Sequence, residues 1–145
     1  MLHDAICARL PHAGRMCLLD RLSAWDSESI VCHASSHRDA DNPLRSSGRL
    51  HAVTGVEYAA QAMALHGSLL AATDTPPAMG YLASVRDLKL DLEDLGAVTE
   101  DLHITARRLG GDAGGFIYEF EIRAGNEAVS SGRLAAKLLT AGAST

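Results

Sequence analysis

Glu57 is the residue whose surroundings most suggest proton chemistry. It opens a run, residues 53–72, in which Val53, Val56, Ala59, Ala60, Met63, Ala64, Leu65, Leu69, Leu70 and Ala71 leave almost no polar face. A helix that is apolar nearly all round belongs inside something. A carboxyl group on such a rod is pushed toward its protonated form, which suits it to donate a proton near neutral pH. The competing reading is a first-turn Glu favoured by the helix dipole and open to water. At 3.6 residues per turn, Thr54, Glu57, Gln61 and Ser68 fall within roughly 60° of one another, a narrow polar stripe. Gln61, one turn after Glu57, could orient that carboxyl, bond a second subunit, or be a satisfied buried amide.

A base to match Glu57 is sought among seven histidines. His51 lies six residues earlier, at the mouth of the helix, where the positive end of the dipole favours a neutral imidazole. His37 is the second choice, at the start of a Ser-, Asp- and Arg-rich loop over residues 35–49 of the length that often carries function. His12 reads as shaping a turn at Pro11-His12-Ala13-Gly14. His66 faces away from Glu57 by roughly 120° or more and reads as a packed core histidine. His3, His33 and His103 have no partner visible in the sequence. Cys7, Cys17 and Cys32 are odd in number and lack the two-residue spacing that tethers zinc, so buried thiols in a reducing cytoplasm are expected, with no metal.

The elements that must position these groups follow from patterning. A chain of 145 residues suits a single domain, 1–145. With 47% apolar and 21% charged residues it is neither disordered nor a disulfide scaffold. A net charge of −5 and no basic run longer than Arg107-Arg108 exclude a nucleic-acid partner. No apolar window reaches a membrane span and no leader pattern opens the chain, so a cytoplasmic protein without a membrane partner is expected. A short helix over 5–10 should stop at Pro11. Strands are expected over 21–26 and 29–34, in part of 80–92, and over 101–109, 116–123 and 128–140, with turn-forming Gly, Asp and Asn between the later ones. Runs of strands on both sides of one buried helix make this an α+β chain, an antiparallel sheet curled around a single long helix.

Three stretches carry a family resemblance. Residues 11–21, Pro-His-Ala-Gly-Arg-Met-Cys-Leu-Leu-Asp-Arg, resemble an opening motif P-H-R-x-P-x-L-L-x-D-R. Gly55-Val-Glu-Tyr-Ala-Ala-Gln-Ala-Met-Ala resembles the helix motif G-V-L-x-x-E-A-x-A-Q in its Glu and its Gln four residues on, and residues 80–90 resemble the strand that follows. These are motifs of the hotdog-fold 3-hydroxyacyl-(acyl-carrier-protein) dehydratases of the FabA/FabZ type. The likeness is greater to a divergent branch found with aryl polyene pigment clusters, whose members can pair with a second, related dehydratase chain.

That resemblance implies a dehydratase acting on 3-hydroxyacyl thioesters of acyl carrier protein in fatty-acid or polyketide biosynthesis, without metal or organic cofactor. In such enzymes a His takes the Cα proton, a helix Glu or Asp from the other subunit protonates the leaving hydroxyl, and a strand N–H holds the thioester carbonyl. Glu57 occupies the acid position. The imidazole, some fourteen residues earlier, is replaced by Pro43, and the G-H-F-P motif is absent, which leaves His51 and His37 as substitutes. Gly80 or Tyr81 offers the carbonyl-binding N–H. Arg86 and Lys89, or Arg38, Arg45 and Arg49, could grip the carrier, though solvated surface positions explain them equally well. Two alternatives stay open: a non-catalytic subunit that supports an active partner, motivated by Pro43, and a hotdog thioesterase using Glu57. A homodimer or a heterodimer with a related dehydratase is expected, since hotdog sheets pair edge to edge with the site between subunits.

Overall fold

The computed structural model describes residues 1–10, 16–71, 80–112 and 115–138, so His12 and the whole turn expected at 11–14 lie outside the described residues. The elements are α1 (His3–Cys7), β1 (Arg21–Trp25), β2 (Ser29–Ala34), α2 (Gly55–Leu70), β3 (Gly80–Leu90), β4 (Leu102–Asp112), β5 (Gly115–Ala124) and β6 (Glu127–Leu138). The strands form one sheet in the order β1-β2-β4-β5-β6-β3, and every pairing is antiparallel. β1 and β3 are its two edges.

Period-2 patterning sets the sheet's inner face. Along β5, Tyr118, Phe120, Ile122 and Ala124 point inward while Ile117 and Glu121 are exposed. With Leu102, Ile104 and Ala106 of β4 and Ile30 and Cys32 of β2 they make a floor on which α2 lies. Burying a large aliphatic side chain in such a floor stabilises the fold by about 1.5–3 kcal/mol. The helix reaches the sheet because its first residue has no side chain. A Cβ on Gly55 would meet Ser130 Oγ at 3.1 Å and Ile122 Cδ1 at 3.2 Å. At the β5–β6 turn, Gly125 takes a φ of 59°, the left-handed conformation that a two-residue hairpin loop requires.

No residue of α2 is fully exposed, as its apolar circumference predicts. The helix is shorter than expected and is preceded by a 3-10 turn over Ala52–Thr54. Helix α1 starts two residues earlier than expected and ends at Cys7, after which the Ala8 N–H bonds the Asp4 carbonyl and the Arg9 and Leu10 N–H groups bond three residues back, so the turn runs on to Leu10.

The cysteines depart from expectation. Cys7 and Cys17 form a disulfide, tying α1 to the extended segment that leads into β1. Only Cys32 is the expected buried thiol, and burial pushes its pKa up to about 12. Among the described residues no helix is long and apolar enough to cross a membrane.

Candidate active site

The polar stripe of α2 grips the N-terminal segment. Gln61 is fully buried: its Oε1 accepts from the Leu18 N–H at 2.8 Å and its Nε2 donates to the Met16 carbonyl at 2.6 Å. One end further on, Ser68 Oγ accepts from Arg9 at 3.1 Å. Both ends of the Gln61 amide are thus met by backbone, as in the satisfied-amide alternative.

Leu18 is held from its other side as well. Ser36 Oγ donates to the Leu18 carbonyl at 2.8 Å and lies 2.9 Å from Tyr58 Oη. Because the serine's one proton is spent on Leu18, the tyrosine donates to the serine. Asn42 Nδ2 donates in turn to Tyr58 Oη at 3.1 Å and to the Ser36 carbonyl at 2.8 Å. The chain Asn42, Tyr58, Ser36, Leu18, Gln61 was not read from the sequence. The one signal for it was Tyr58 itself, a phenol in an apolar helix that must find a polar partner when buried.

This network walls a cleft of about 450 Å³ lined by His3, Cys17, Asp20, Asp39, Asp41 and Pro43, with Leu18, Ser36 and Asn42. Position 43, where the resemblance places an imidazole, thus faces open space and offers only a pyrrolidine ring.

Glu57 is half-buried in the first turn of α2, one residue before Tyr58. His51 is exposed immediately before the 3-10 turn, and Thr54 Oγ1 donates to its carbonyl at 2.6 Å. Its backbone bridges Asp94, and it lines a separate cleft of about 610 Å³ with Arg49, Ala52, Val53 and residues 90–93 at the end of β3. His37 is wholly buried: Nε2 donates to the Val98 carbonyl at 3.1 Å, and Nδ1 has no hydrogen-bond partner among the described residues. Burial, and then the Arg38 guanidinium, hold its pKa below the ordinary imidazole value. The two histidines thus sit in different places, one in the interior and one at a surface cleft.

The backbones of Gly80 and Tyr81 pair with Leu138 and Lys137 of β6 at the start of β3. As β3 is an edge, about half of its amides face away from the sheet. Of the loop arginines, Arg38 donates to the Thr99 carbonyl and to Asp101 at 2.6 Å. The guanidinium holds the Asp101 carboxyl below its usual range. Arg45 donates to the carbonyls of Asp39, Gly48 and His37. Both arginines organise the loop. Arg49 is 4.0 Å from Asp94, while Arg86 and Lys89 lie exposed on β3. His66 is the core histidine expected: Tyr118 Oη donates to Nδ1 at 2.5 Å and Nε2 donates to the Asp26 carbonyl at 2.7 Å.

Known proteins share this architecture. The chain superposes on the dehydratase heterocomplex ApeI:P from Xenorhabdus doucetiae with a TM-score of 0.82 at 22% identity, over 93% of this chain and 91% of that one. A mutant thioesterase from Pseudomonas aeruginosa matches with a TM-score of 0.59 at 16% identity, over 82% and 80%. A hypothetical thioesterase with coenzyme A from Streptococcus pneumoniae matches at 0.59 and 12% identity, over 82% and 84%. The fold is therefore the hotdog fold, one antiparallel sheet around a central helix. Comparison with curated protein sequences gives no match. The family model described as "ApeP-like: ApeP dehydratase" matches residues 5–138, and the chain belongs to the ApeP-like dehydratase family.

Proposed function

We propose that this chain is the acid-donating half of a two-chain dehydratase that removes water from 3-hydroxyacyl thioesters of acyl carrier protein. The observation that carries this reading is Pro43. It lines the cleft at the position where the resemblance calls for the imidazole base, and a pyrrolidine ring has no group that accepts a proton. In the family pattern the imidazole of one subunit works with the helix carboxyl of the other. A homodimer of this chain would then have two carboxyls and no family imidazole. A heterodimer with a related dehydratase has one complete site, formed by Glu57 and the partner's imidazole.

The reaction needs a proton taken from Cα and another given to the hydroxyl as it leaves, and Glu57 serves the second need. It is half-buried in the first turn of α2, at the helix position that the resemblance assigns to the general acid. A backbone N–H at the start of β3, at Gly80 or Tyr81, receives the thioester oxygen in this reading. The partner's strand pairs with the β3 edge, where Leu82, Val85, Leu88 and Leu90 are 37–44% exposed, a row of apolar side chains left uncovered by this chain.

The test is to incubate the chain with 3-hydroxyacyl carrier protein, alone and with a related dehydratase chain, and to identify the product. Enoyl product only in the mixture is expected. Turnover by this chain alone would assign the base to one of its own histidines. Free acid would make it a thioesterase, and no reaction in either case would remove the enzymatic reading.

A further inference from the structure

The N-terminal helix carries a cluster that the dehydration chemistry does not use. His3 and Cys7 stand four residues apart on α1, so they share one helix face. Cys17 meets them from the segment leading into β1. One ligand atom from each of the three lies within 4.8 Å of the others. His3 Nε2 is 3.5 Å from Cys7 Sγ. Its other nitrogen, Nδ1, lies 2.8 Å from the Leu19 carbonyl. A carbonyl only accepts, so the proton is on Nδ1 and the lone pair is on Nε2; in the disulfide form Cys7 Sγ is also 3.8 Å from Nδ1 and so stands beside the ring.

We infer that, once the Cys7–Cys17 bond is reduced, His3, Cys7 and Cys17 form a three-ligand site for a thiophilic divalent cation such as Zn²⁺. Three features fit. An imidazole whose second nitrogen donates to a backbone carbonyl has the outer-shell support typical of zinc-bound histidines. In a tetrahedral zinc site with Zn–S about 2.3 Å and Zn–N about 2.0–2.1 Å, neighbouring N and S atoms stand about 3.6 Å apart. The observed 3.5 Å between His3 Nε2 and Cys7 Sγ matches that spacing, and rotation of the freed Cys7 side chain brings the sulfur from beside the ring toward the lone pair. The two Cα atoms are 5.8 Å apart, so the sulfurs reach the roughly 3.8 Å of a tetrahedral edge by side-chain rotation. His3 and Cys17 also line, with Asp20, the cleft of about 450 Å³, which gives an ion a route to the cluster.

The redox step is thiol–disulfide exchange with a dithiol reductant. One thiolate of the dithiol attacks a sulfur of the Cys7–Cys17 bond, and the other cysteine leaves as a thiolate. The second thiolate of the reductant then displaces the first cysteine. The S–S bond gains two electrons and becomes two thiols, while the dithiol closes to its own disulfide. Zn²⁺ then displaces the two thiol protons to solvent and binds two thiolates and one neutral imidazole. One tie between α1 and the β1 segment is exchanged for another, so the N-terminal segment stays anchored under oxidising and reducing conditions alike.

The test reduces the full-length protein with a phosphine, removes the phosphine without air and titrates in Co²⁺, whose spectrum reports its ligands. One equivalent should give a thiolate-to-cobalt charge-transfer band with the strong visible bands of a tetrahedral site, and Zn²⁺ should abolish both. The air-oxidised protein, which needs no substitution, should show neither. A Cys7→Ser, Cys17→Ser double variant, which keeps Cys32, should lose the charge-transfer band. His3→Ala should weaken binding by more than the roughly 10–100-fold that loss of an outer-shell partner costs. The inference is overturned if reduced wild-type protein shows no charge-transfer band, or if the band persists in the oxidised protein or the double variant.

Discussion

Gln61, in the middle of α2, accepts a buried 2.8 Å hydrogen bond from the backbone N–H of Leu18, 43 residues earlier in the chain. The same side chain donates to Met16, so one amide fixes both ends of the segment that carries the second half of the opening motif. Replacing it with Leu leaves the buried Leu18 N–H and the part-buried Met16 C=O without this partner, at about 1–3 kcal/mol each. Gln61→Leu should therefore lower unfolding stability by about 2–5 kcal/mol in urea titrations. Gln61→Glu keeps an acceptor for Leu18 but sets a carboxylate oxygen against the Met16 carbonyl. It should be less stable than wild type at neutral pH and recover part of the loss in acid, when the carboxyl gains a proton to donate.

His37 gives the fold a sensitivity to acid. Burial lowers its pKa in the folded state below the ordinary 6.5, and Arg38 adds to that shift. Above the ordinary value both folded and unfolded imidazoles are neutral and the group contributes nothing. Below it the unfolded chain takes up a proton that the folded one refuses, so stability falls with pH. Unfolding curves between about pH 7.5 and pH 5 should show this loss, and His37→Gln should shrink it. His33, also lowered by burial and by His103, keeps the slope above zero. An unchanged slope in the variant would mean that His37 titrates freely in the folded protein.

The β3 edge should be separable from the fold of the single chain. Val85 is 38% exposed on that edge. Val85→Lys should leave the stability of the isolated chain within about 0.5 kcal/mol, as surface changes generally do. Burying an unpaired charge in the interface should weaken association with a related dehydratase chain by about tenfold or more, measured by calorimetry or analytical ultracentrifugation. Undiminished association would place the interface elsewhere.

Most of the architecture was legible because its signals are local. The alternation in 116–123 marks β5, and the apolar circumference of 53–72 marks a helix that belongs under a sheet. What could not be read depends on partners distant in sequence. Nothing near Gln61 says that its amide will be met by Met16 and Leu18 rather than by Glu57. The loop at 35–49 looked like a polar connection, yet Ser36 and Asn42 are committed to Tyr58 and Arg45 to three carbonyls. The cysteines were judged by spacing between cysteines alone. The four-residue spacing of His3 and Cys7 was passed over, and the meeting of Cys17 with Cys7 follows from how α1 folds back. The start of α1 at His3 is not legible because its N-cap is Leu2, which has no side-chain acceptor to mark a helix opening. The substitution of proline at position 43 was plain in the sequence, and the structure adds that this residue lines a cleft.

The most direct measurement is the single-turnover rate of dehydration by the complex of this chain with a related dehydratase chain, when this chain carries Glu57→Gln. The substitution keeps the size of the side chain and removes its transferable proton. The expected result is a fall of about 10²–10⁴-fold in the chemical step, with association unchanged and with His51→Ala close to wild type. A Glu57→Gln complex that turns over at the wild-type rate would contradict the assignment of this chain as the proton donor.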